Sequence, residues 1–539
     1  MYTPLELVKR LVAVRSDTGS ALERDMALAI YDIIAQDGYF KANPKLCGLY
    51  EFGDHLGRRA VWALKRGTSG RTVIFTGHFD AVEIDCYGRF REFALDPDAL
   101  AGAMLNDGGV EESVKADVRS GRYMLGRGCA DMKGGLAVAL YVLLTREPGE
   151  ANILFLGVPD EENMSAGARG AIALYEKLRD EYSLDYRLAV MCEPDFRADV
   201  ENEPLTLGRG CAGKLLPVVV AHGRISHASE SMAGMSAALM IAELTGRLEY
   251  NTEYICSDLG VSTHPPAALY MRDEKACYDV SLPAYAAACY SVSLLSSLSP
   301  IDVMERLRRE CAQSLAAVKA RYEAAYARMD KNGCMGGIPH IEYEPVVLSF
   351  AQLKAAAKSR VEDFDSADAR ITEDIAARVR EGSLTLPGAS IAHIRALIDL
   401  SGIDQPLMVA AVAPPYYPPY NLGYLPGAPD TASLAGYIGR AAGVEIGFTE
   451  YVRSMMDLSY FNCLDPDAEL SFMEDMALDK GIYSIDFAAL ARLMIPIVLL
   501  GPGSRNIHSM YERAYLPDLE KNLPAAYSAM IDWVGEGLA

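Results

Sequence analysis

Histidines and carboxylates that could bind metal ions or move protons are concentrated in five short stretches. TGHFDAVE (76–83) follows an apolar run and holds His78 and Asp80, which project to the same side of an extended strand. The other stretches are GRGCADMKGG (126–135) with Asp131, VPDEEN (158–163) with Glu161 and Glu162, MCEPDF (191–196) with Glu193, and GPGSRNIHSM (501–510) with His508. Taken singly, each is more often a turn, a helix start or a solvated loop than a functional site.

Together, these residues have the chemistry of a paired metal site. They supply two imidazoles, one carboxylate able to bridge, two terminal carboxylates and a spare one, which is the nitrogen and oxygen ligand set of a two-zinc centre. Most of them directly follow a predicted strand. Because strand ends of an open α/β sheet form the crevice where ligands bind, we expect these side chains to converge.

The first two hundred residues alternate helical and strand patterns, which indicates an α/β sheet with helices on both faces. The pattern predicts helices over 5–14, 22–37, 134–145 and 166–179, and strands over 60–64, 72–76, 152–157 and 188–192. The tail returns to this style, with a helix over 431–442 and a strand over 495–500.

From about Gly210 the pattern changes to that of a smaller domain. Its β-α-β-β-α order predicts an antiparallel sheet, from a strand over 214–221, a helix over 234–248, strands over 267–272 and 284–295, and a helix over 300–328. The charged segment 350–400 is predicted to be a helical insertion. A strand over 407–413 then runs into APPYYPPYNLGYLPGAP, which we interpret as a hinge. The predicted domains are 1–210 with 419–539, and an inserted domain over 211–418.

Length, charge and cysteine content bound the class of protein. A chain of 539 residues exceeds what one hydrophobic core usually organises, and a net charge of -22 argues against nucleic acid and anionic membranes as partners. The N-terminus has charges throughout instead of a signal peptide's apolar core, and the uncharged stretches 280–301 and 405–429 contain prolines that favour strand and loop over a membrane span. Eleven cysteines without paired spacing are expected to be reduced thiols in the cytoplasm.

One further motif is discarded. GRGCAGKL (208–215) has the spacing of a phosphate-binding loop up to its lysine, but the next position is Leu215, where Ser or Thr would be needed to reach magnesium.

The five stretches, taken in their order along the chain, resemble those of the co-catalytic zinc peptidases and deacylases. These include acetylornithine deacetylase, succinyl-diaminopimelate desuccinylase, aminoacylase and glutamate carboxypeptidase. The length, the APPYYPP stretch and MMDLSYF (455–461) are most similar to the RocB-type arginine-utilisation proteins. The resemblance implies a catalytic domain with a mostly parallel central sheet flanked by helices, and an inserted α+β lid and dimerisation domain with an antiparallel sheet.

The resemblance also implies which residues bind two divalent ions, with zinc favoured over cobalt and manganese. His78, Asp131 and Glu193 would hold one ion. Asp131, Glu162 and His508 would hold the other, so that Asp131 bridges the two.

Three further residues receive catalytic roles by the same resemblance. Asp80 would accept a hydrogen bond from the free ring nitrogen of His78 and fix its tautomer. Glu161 would take a proton from the attacking water and deliver it to the leaving nitrogen. His227, in AHGRISHASE (221–230), would hydrogen-bond the oxyanion of the tetrahedral intermediate. The other interpretation is a histidine that caps the next helix, and it applies to His222 more than to His227.

The chain departs from the family in its lid. Amino-acid-specific members have an Asp-x-Arg at the end of a lid strand, and the corresponding segment 286–300 contains no arginine. Arg505 and Arg453 are the candidate substitutes, with ordinary surface arginines as the other interpretation. A requirement for a free substrate carboxylate is therefore not carried over.

The sequence thus predicts a cytoplasmic, metal-dependent hydrolase of amide bonds in small peptides or N-acyl amino acids, with a place in amino-acid (arginine) catabolism. A homodimer through the lid domain is expected, because the inferred sheet exposes an edge strand. The alternative is a monomer in which the helices of the 350–400 insertion cover that edge or take the partner's place. The alternative function is a non-catalytic metal-binding or ligand-binding homologue that keeps the fold.

Overall fold

The computed structural model describes residues 2–195, 197–333, 335, 337–338, 340–344, 346–478 and 480–539. The chain divides into two compact units. The first consists of Met1–Cys211, Tyr420–Leu464 and Asp486–Ala539, and the second of Ala212–Pro419 and Asp465–Ile485. Within the described part of the chain, no helix combines the length and the apolar character that crossing a membrane requires.

Sixteen α-helices are formed by the described residues. They are α1 Pro4–Val12, α2 Leu22–Ala35, α3 Gly38–Ala42, α4 Pro97–Asn106, α5 Glu112–Arg119, α6 Lys133–Thr145, α7 Ala166–Tyr182, α8 Ala237–Leu248, α9 Pro300–Lys331, α10 Phe350–Arg360, α11 Phe364–Arg380, α12 Leu386–Ser401, α13 Thr431–Ala442, α14 Pro466–Phe472, α15 Phe487–Leu493 and α16 Leu523–Gly535.

Twenty strands are present in the same residues. They are β1 Cys47–Glu51, β2 Arg59–Lys65, β3 Arg71–His78, β4 Tyr123–Leu125, β5 Asn152–Val158, β6 Asp185–Met191, β7 Leu205–Gly208, β8 Gly210–Cys211, β9 Gly213–His222, β10 Ser257–Asp258, β11 Val261–Ser262, β12 Ala267–Asp273, β13 Tyr285–Leu294, β14 Val346–Ser349, β15 Leu407–Tyr417, β16 Tyr420–Asn421, β17 Ile446–Thr449, β18 Ile497–Leu499, β19 Ser504–Arg505 and β20 Arg513–Tyr515.

The first unit is built on an eight-stranded sheet in the order β1-β2-β5-β3-β6-β18-β7-β17. The four central strands β5, β3, β6 and β18 are mutually parallel, and antiparallel pairs occur toward the edges. Every residue of β5 is buried, as expected for a strand covered by helices on both faces. Helices α6 and α16 pack against β3, and α2 and α7 pack against β2. The predicted mostly parallel α/β sheet is confirmed.

A small three-stranded antiparallel sheet, in the order β19-β20-β4, lies in the same unit. Its strands have two or three residues each, too few for a period-two pattern to be read from the sequence. The sheet has a clear structural consequence. It places the turn that follows β4 beside the loop that joins β19 to β20.

The second unit contains a five-stranded sheet in the order β12-β13-β9-β15-β14, antiparallel except for the β14–β15 pair. Helices α8 and α9 pack on this sheet, and so do α10 and α12 from the predicted insertion. The core between the sheet and α10 and α12 includes Val218, Val220, Leu353, Ile394 and Val409. The predicted α+β domain with an antiparallel sheet is confirmed, and segment 350–400 forms one of its layers.

The segment Asp465–Ile485 lies in the second unit, whereas the sequence analysis placed it in the catalytic domain. Its backbone explains the difference. The N–H of Ala477 donates to the carbonyl of Val412 at 2.9 Å, and the Ala477 carbonyl lies 3.1 Å from Nδ1 of the buried His393. These contacts join positions far apart in sequence, and no local pattern indicates them.

Candidate metal centre

Three of the predicted site segments lie at the carboxyl ends of adjacent parallel strands. His78 is the last residue of β3. Glu161 and Glu162 follow β5, and Glu193 follows β6. Because β5, β3 and β6 are neighbours in the sheet, their ends meet at one edge and bring the four side chains together.

Asp131 and His508 reach the same edge from the small sheet. Asp131 lies in the turn between β4 and α6, and His508 lies in the loop between β19 and β20. Gly135, in the first turn of α6, is required by close packing, since a Cβ on this residue would lie 1.9 Å from the carbonyl oxygen of Cys192. The start of α6 therefore packs directly against the chain that precedes Glu193.

The imidazole of His78 lies among carboxylates. Its Nε2 is 3.2 Å from Asp131 Oδ1, 3.4 Å from Glu193 Oε1 and 4.0 Å from Glu161 Oε2. The ring is almost completely buried. Nitrogen and oxygen donors at these separations can surround a metal ion once their protons have left.

A second cluster forms around His508. Its Nε2 is 3.0 Å from Asp131 Oδ2 and 2.8 Å from Glu162 Oε1. Asp131 therefore turns one oxygen toward each of the two imidazoles, the arrangement that a bridging carboxylate needs. Among the described residues, the sets His78–Asp131–Glu162 and His78–Glu161–Glu193 each present ligand atoms close enough to share one ion.

The electrostatics of the site show an excess of negative charge. Burial raises the pKa of Glu161 and of Glu193 well above the usual range, and neighbouring carboxylates add to the effect. Hydrogen bonds to Asp131 and Glu162 raise the pKa of His508 to about 10. Buried carboxylates in this number are costly without cations, so the donor set fits divalent metal ions.

Asp131 and His78 shift each other's pKa in opposite directions. Burial disfavours the charged form of Asp131, but hydrogen bonds with His508 and His78 outweigh it and lower its pKa. Burial likewise disfavours the imidazolium of His78, yet Glu193, Asp131 and Asp80 raise its pKa well above the ordinary value. A proton on His78 thus compensates the negative charge of the same carboxylates that a bound metal cation would compensate.

Asp80 organises the backbone between the two clusters. Its Oδ1 accepts the N–H of Glu161 at 3.1 Å, and its Oδ2 accepts the N–H of Glu162 at 3.3 Å and the hydroxyl of Thr18 at 2.9 Å. His78 Nδ1 is 3.0 Å from the backbone carbonyl of Asp80 and 3.4 Å from its carboxylate. Both groups are acceptors, so Nδ1 carries a proton whether the ring is neutral or charged, and Nε2 faces the carboxylates.

Several buried residues that the sequence analysis missed support these segments. Asp160 precedes Glu161 with a positive φ of 73°, and its carboxylate pairs with the buried guanidinium of Arg58. Arg58 also pairs with Glu23, 35 residues earlier in the chain. Asp160 lies within VPDEEN, so that motif could have pointed to it. Arg58 pairs locally with Asp54, but its contacts with Glu23 and Asp160 span 35 and 102 residues, and no sequence pattern indicates them.

Asp457, in the MMDLSYF stretch, is a further buried carboxylate of this unit. Burial raises its pKa to about 7, whereas the Ser165 hydroxyl and the charge of His78 act in the opposite direction. Glu512 is also buried, and it accepts the backbone N–H of Asp131 at 3.3 Å. Glu512 follows His508 by four residues, so its spacing was visible in the sequence but its partner was not.

The remaining predicted residues are His227, Arg505 and Arg453. His227 is an exposed residue of the second unit, and its Nδ1 accepts the N–H of Ser229 at 3.2 Å. Arg505 is held by Asp117, with Nη1 2.7 Å from both carboxylate oxygens, and its guanidinium lies 4.8 Å from the ring of Tyr123. Arg453 is exposed. The Arg505 guanidinium is therefore held in an ion pair with Asp117.

Comparison with known proteins gives a consistent match. The sequence model of Peptidase family M20/M25/M40 matches residues 74–532. Two Bacillus subtilis (strain 168) proteins align over almost the whole chain. "Uncharacterized protein YqjN" is 28% identical, and the alignment covers 98% of this chain and 95% of that protein. "Protein RocB" is 26% identical, and the alignment covers 95% of this chain and 91% of that protein.

Solved structures share the fold at low sequence identity. The M20 family metallo-carboxypeptidase Sso-CP2 from Sulfolobus solfataricus is 12% identical, with 99% of this chain and 100% of that chain covered and a TM-score of 0.52. The aminopeptidase PepT from Bacillus cereus is 14% identical, with 99% of this chain and 98% of that chain covered and a TM-score of 0.51.

Proposed function

The chain belongs to Peptidase family M20/M25/M40, and from that membership and the geometry of its strand ends we propose that it is a two-metal-dependent hydrolase of amide bonds. Membership makes it a hydrolase of the peptidase type. The proposed substrates are small peptides or N-acyl amino acids. The observation that carries the proposal is the position of Asp131. Its Oδ1 lies 3.2 Å from Nε2 of His78, and its Oδ2 lies 3.0 Å from Nε2 of His508.

The proposed ligand sets come from the family resemblance, and the distances between these side chains are compatible with them. His78, Asp131 and Glu193 would hold one ion, and Asp131, Glu162 and His508 would hold the other; the histidine–carboxylate distances within each set are 2.8 to 3.4 Å. Mixed imidazole and carboxylate donors suit zinc, with cobalt and manganese as the alternatives. Divalent cations held there supply Lewis acidity that polarises a substrate carbonyl.

Glu161 is proposed as the residue that moves the proton. Its carboxylate lies 4.0 Å from His78 Nε2, and although it is close enough to His78 and Glu193 to share an ion, it is not needed to complete either proposed ligand set. Burial and neighbouring carboxylates raise its pKa, and a carboxylate with a raised pKa is a stronger base once it is ionised. It takes a proton from the attacking water and delivers it to the leaving nitrogen.

Asp80 and His227 are proposed to support the reaction in different ways. Asp80 holds the backbone of Glu161 and Glu162 and orients the ring of His78. His227 Nδ1 accepts the N–H of Ser229, so the neutral ring carries its proton on Nε2. That N–H is a suitable donor to the oxyanion of a tetrahedral intermediate.

A homodimer through the second unit is also proposed. Strand β12 is an edge strand, and Leu269 and Met271 on it are 60% and 51% exposed. An apolar edge strand favours pairing with a second copy of the same chain.

The proposed setting is the cytoplasm and amino-acid catabolism, with arginine as a candidate pathway. The ten cysteines that the structure describes are free thiols, which supports a reducing environment. The resemblance of the MMDLSYF stretch to RocB-type proteins supports the pathway.

A substrate panel tests the function. Protein loaded separately with zinc, cobalt or manganese is assayed against dipeptides, tripeptides and N-acyl amino acids, with chelated protein as the control. We expect turnover of at least one class that is lost on chelation and restored by metal. Metal binding without turnover of any member would instead support the non-catalytic homologue.

A further inference from the structure

Glu512 makes an unusual set of contacts for a residue outside the proposed ligand sets. Its side chain is fully buried, and Oε1 accepts the backbone N–H of Ala130 at 3.2 Å and that of Asp131 at 3.3 Å. Its own backbone carbonyl accepts the N–H of Gly126 at 3.3 Å. One residue thus contacts both ends of the turn that carries the bridging carboxylate.

The other oxygen of Glu512 is held by a buried cation. Arg127 Nη1 donates to Oε2 at 2.6 Å, and the Arg127 guanidinium lies 5.1 Å from the ring of Tyr87. Both side chains of this ion pair are almost completely excluded from water. The carboxylate therefore has donors on both sides, and its position is fixed.

Glu512 also belongs to the segment that carries His508. The N–H of Glu512 donates to the carbonyl of Ser509 at 3.2 Å. Ser509 directly follows His508, and Glu512 directly precedes β20. The Asp131 turn and the His508 loop thus meet at Glu512, and each supplies one of the two groups that face each other at 3.0 Å.

We infer that Glu512 is a positioning residue for the metal centre, holding the Asp131 turn and the His508 loop in the relative position that metal binding needs. The inference rests on the proposed two-metal function. Groups that orient metal ligands typically change metal affinity by about 10- to 100-fold when they are replaced.

Substitution by glutamine provides a sharp test because the shape is retained. In Glu512→Gln, either orientation of the side-chain amide turns its N–H₂ toward a donor, which is Arg127 in one case and the backbone N–H groups in the other. In the double variant Arg127→Met/Glu512→Gln, the amide oxygen can face the backbone donors without opposition. The double variant should therefore restore the turn.

The experiment measures metal affinity by competition with a chelator, using zinc or cobalt, and amide hydrogen exchange of the peptide 126–135 in metal-free protein. We expect Glu512→Gln to weaken binding by about 10- to 100-fold and to speed exchange in that peptide. The double variant should recover most of both losses. If Glu512→Gln does not fold, the double variant alone decides, with near wild-type affinity expected.

Asp518→Asn is the matched control. Asp518 is a fully buried carboxylate that accepts the N–H of Gly503 at 2.9 Å and Arg197 Nη2 at 2.6 Å, and it contacts no proposed ligand. It should lower stability without weakening metal binding. Unchanged affinity and exchange in Glu512→Gln, no recovery in the double variant, or equal loss of affinity in Asp518→Asn would each overturn the inference. A wild-type protein that takes up no metal refutes the proposed function instead, while exchange still reports whether Glu512 holds the turn.

Discussion

Glu161 and Glu162 are neighbours in sequence but face different partners. Glu162 Oε1 lies 2.8 Å from His508 Nε2, whereas Glu161 Oε2 lies 4.0 Å from His78 Nε2. Asp80 accepts the backbone N–H of both residues and so fixes the directions in which the two side chains leave the chain. The two side chains thus have different nearest imidazoles, which is compatible with the proposed roles of base for Glu161 and ligand for Glu162.

This assignment of roles predicts different defects for two isosteric substitutions. Glu161→Gln removes the proton acceptor and keeps the proposed ligands, so kcat should fall by about 100-fold or more while metal content is retained. Glu162→Gln should instead lower the affinity for one of the two metal ions. Steady-state kinetics and metal analysis on both variants check this. Equal metal loss in the two variants would show that the roles of base and ligand are wrongly assigned.

At the residue scale, the sequence is informative wherever function requires a particular side chain in a short motif. Each of His78, Asp131 and His508 is named by such a motif, and the structure brings the three together. Supporting residues are different, because their partners are remote: Thr18 contacts Asp80 62 residues away, and Glu512 contacts Ala130 382 residues away. No spacing in the sequence indicates such pairs.

At the element scale, helix α12 shows that segment 350–400 is integral to the second unit. Ile394 is fully buried in the core that α10 and α12 form with the five-stranded sheet. A peripheral insertion would tolerate the loss of this side chain, whereas a core layer would not.

Ile394→Ala should therefore lower the free energy of unfolding by about 2–5 kcal/mol, as expected for a large-to-small substitution in a core. Leu239→Ala is the control, since Leu239 is 39% exposed on α8 and should cost much less. Urea unfolding monitored by circular dichroism measures both. A loss for Ile394→Ala no greater than that of the control would mean that α12 is not part of the core.

Elements with long apolar runs could be predicted from the sequence, and short ones could not. Strands β3 and β5 have seven or more residues, and their buried runs identify them. Strands β4, β19 and β20 are too short for any periodicity, and they exist because they pair with one another. The sequence therefore predicted the sheet that carries His78 but missed the sheet that positions Asp131 and His508.

At the scale of the whole molecule, the exposed edge of the second unit determines the expected assembly. Leu269 and Met271 are exposed on the edge strand β12, and charged residues at such positions block edge-to-edge pairing. The double variant Leu269→Lys/Met271→Lys should therefore be monomeric, with an unchanged circular dichroism spectrum. Light scattering compares it with the wild type, for which we expect a dimer. A monomeric wild type, or a dimeric variant, would contradict pairing through β12.

Metal content measured alongside activity tests whether one chain binds two catalytic metal ions. Metal-free protein is titrated with zinc, cobalt or manganese, and bound metal and hydrolysis of the responsive substrate are recorded at each step. We expect uptake of two ions per chain, with activity rising as the sites fill. Less than one ion bound per chain, with no further uptake on titration, would show that the proposed two-metal centre does not form.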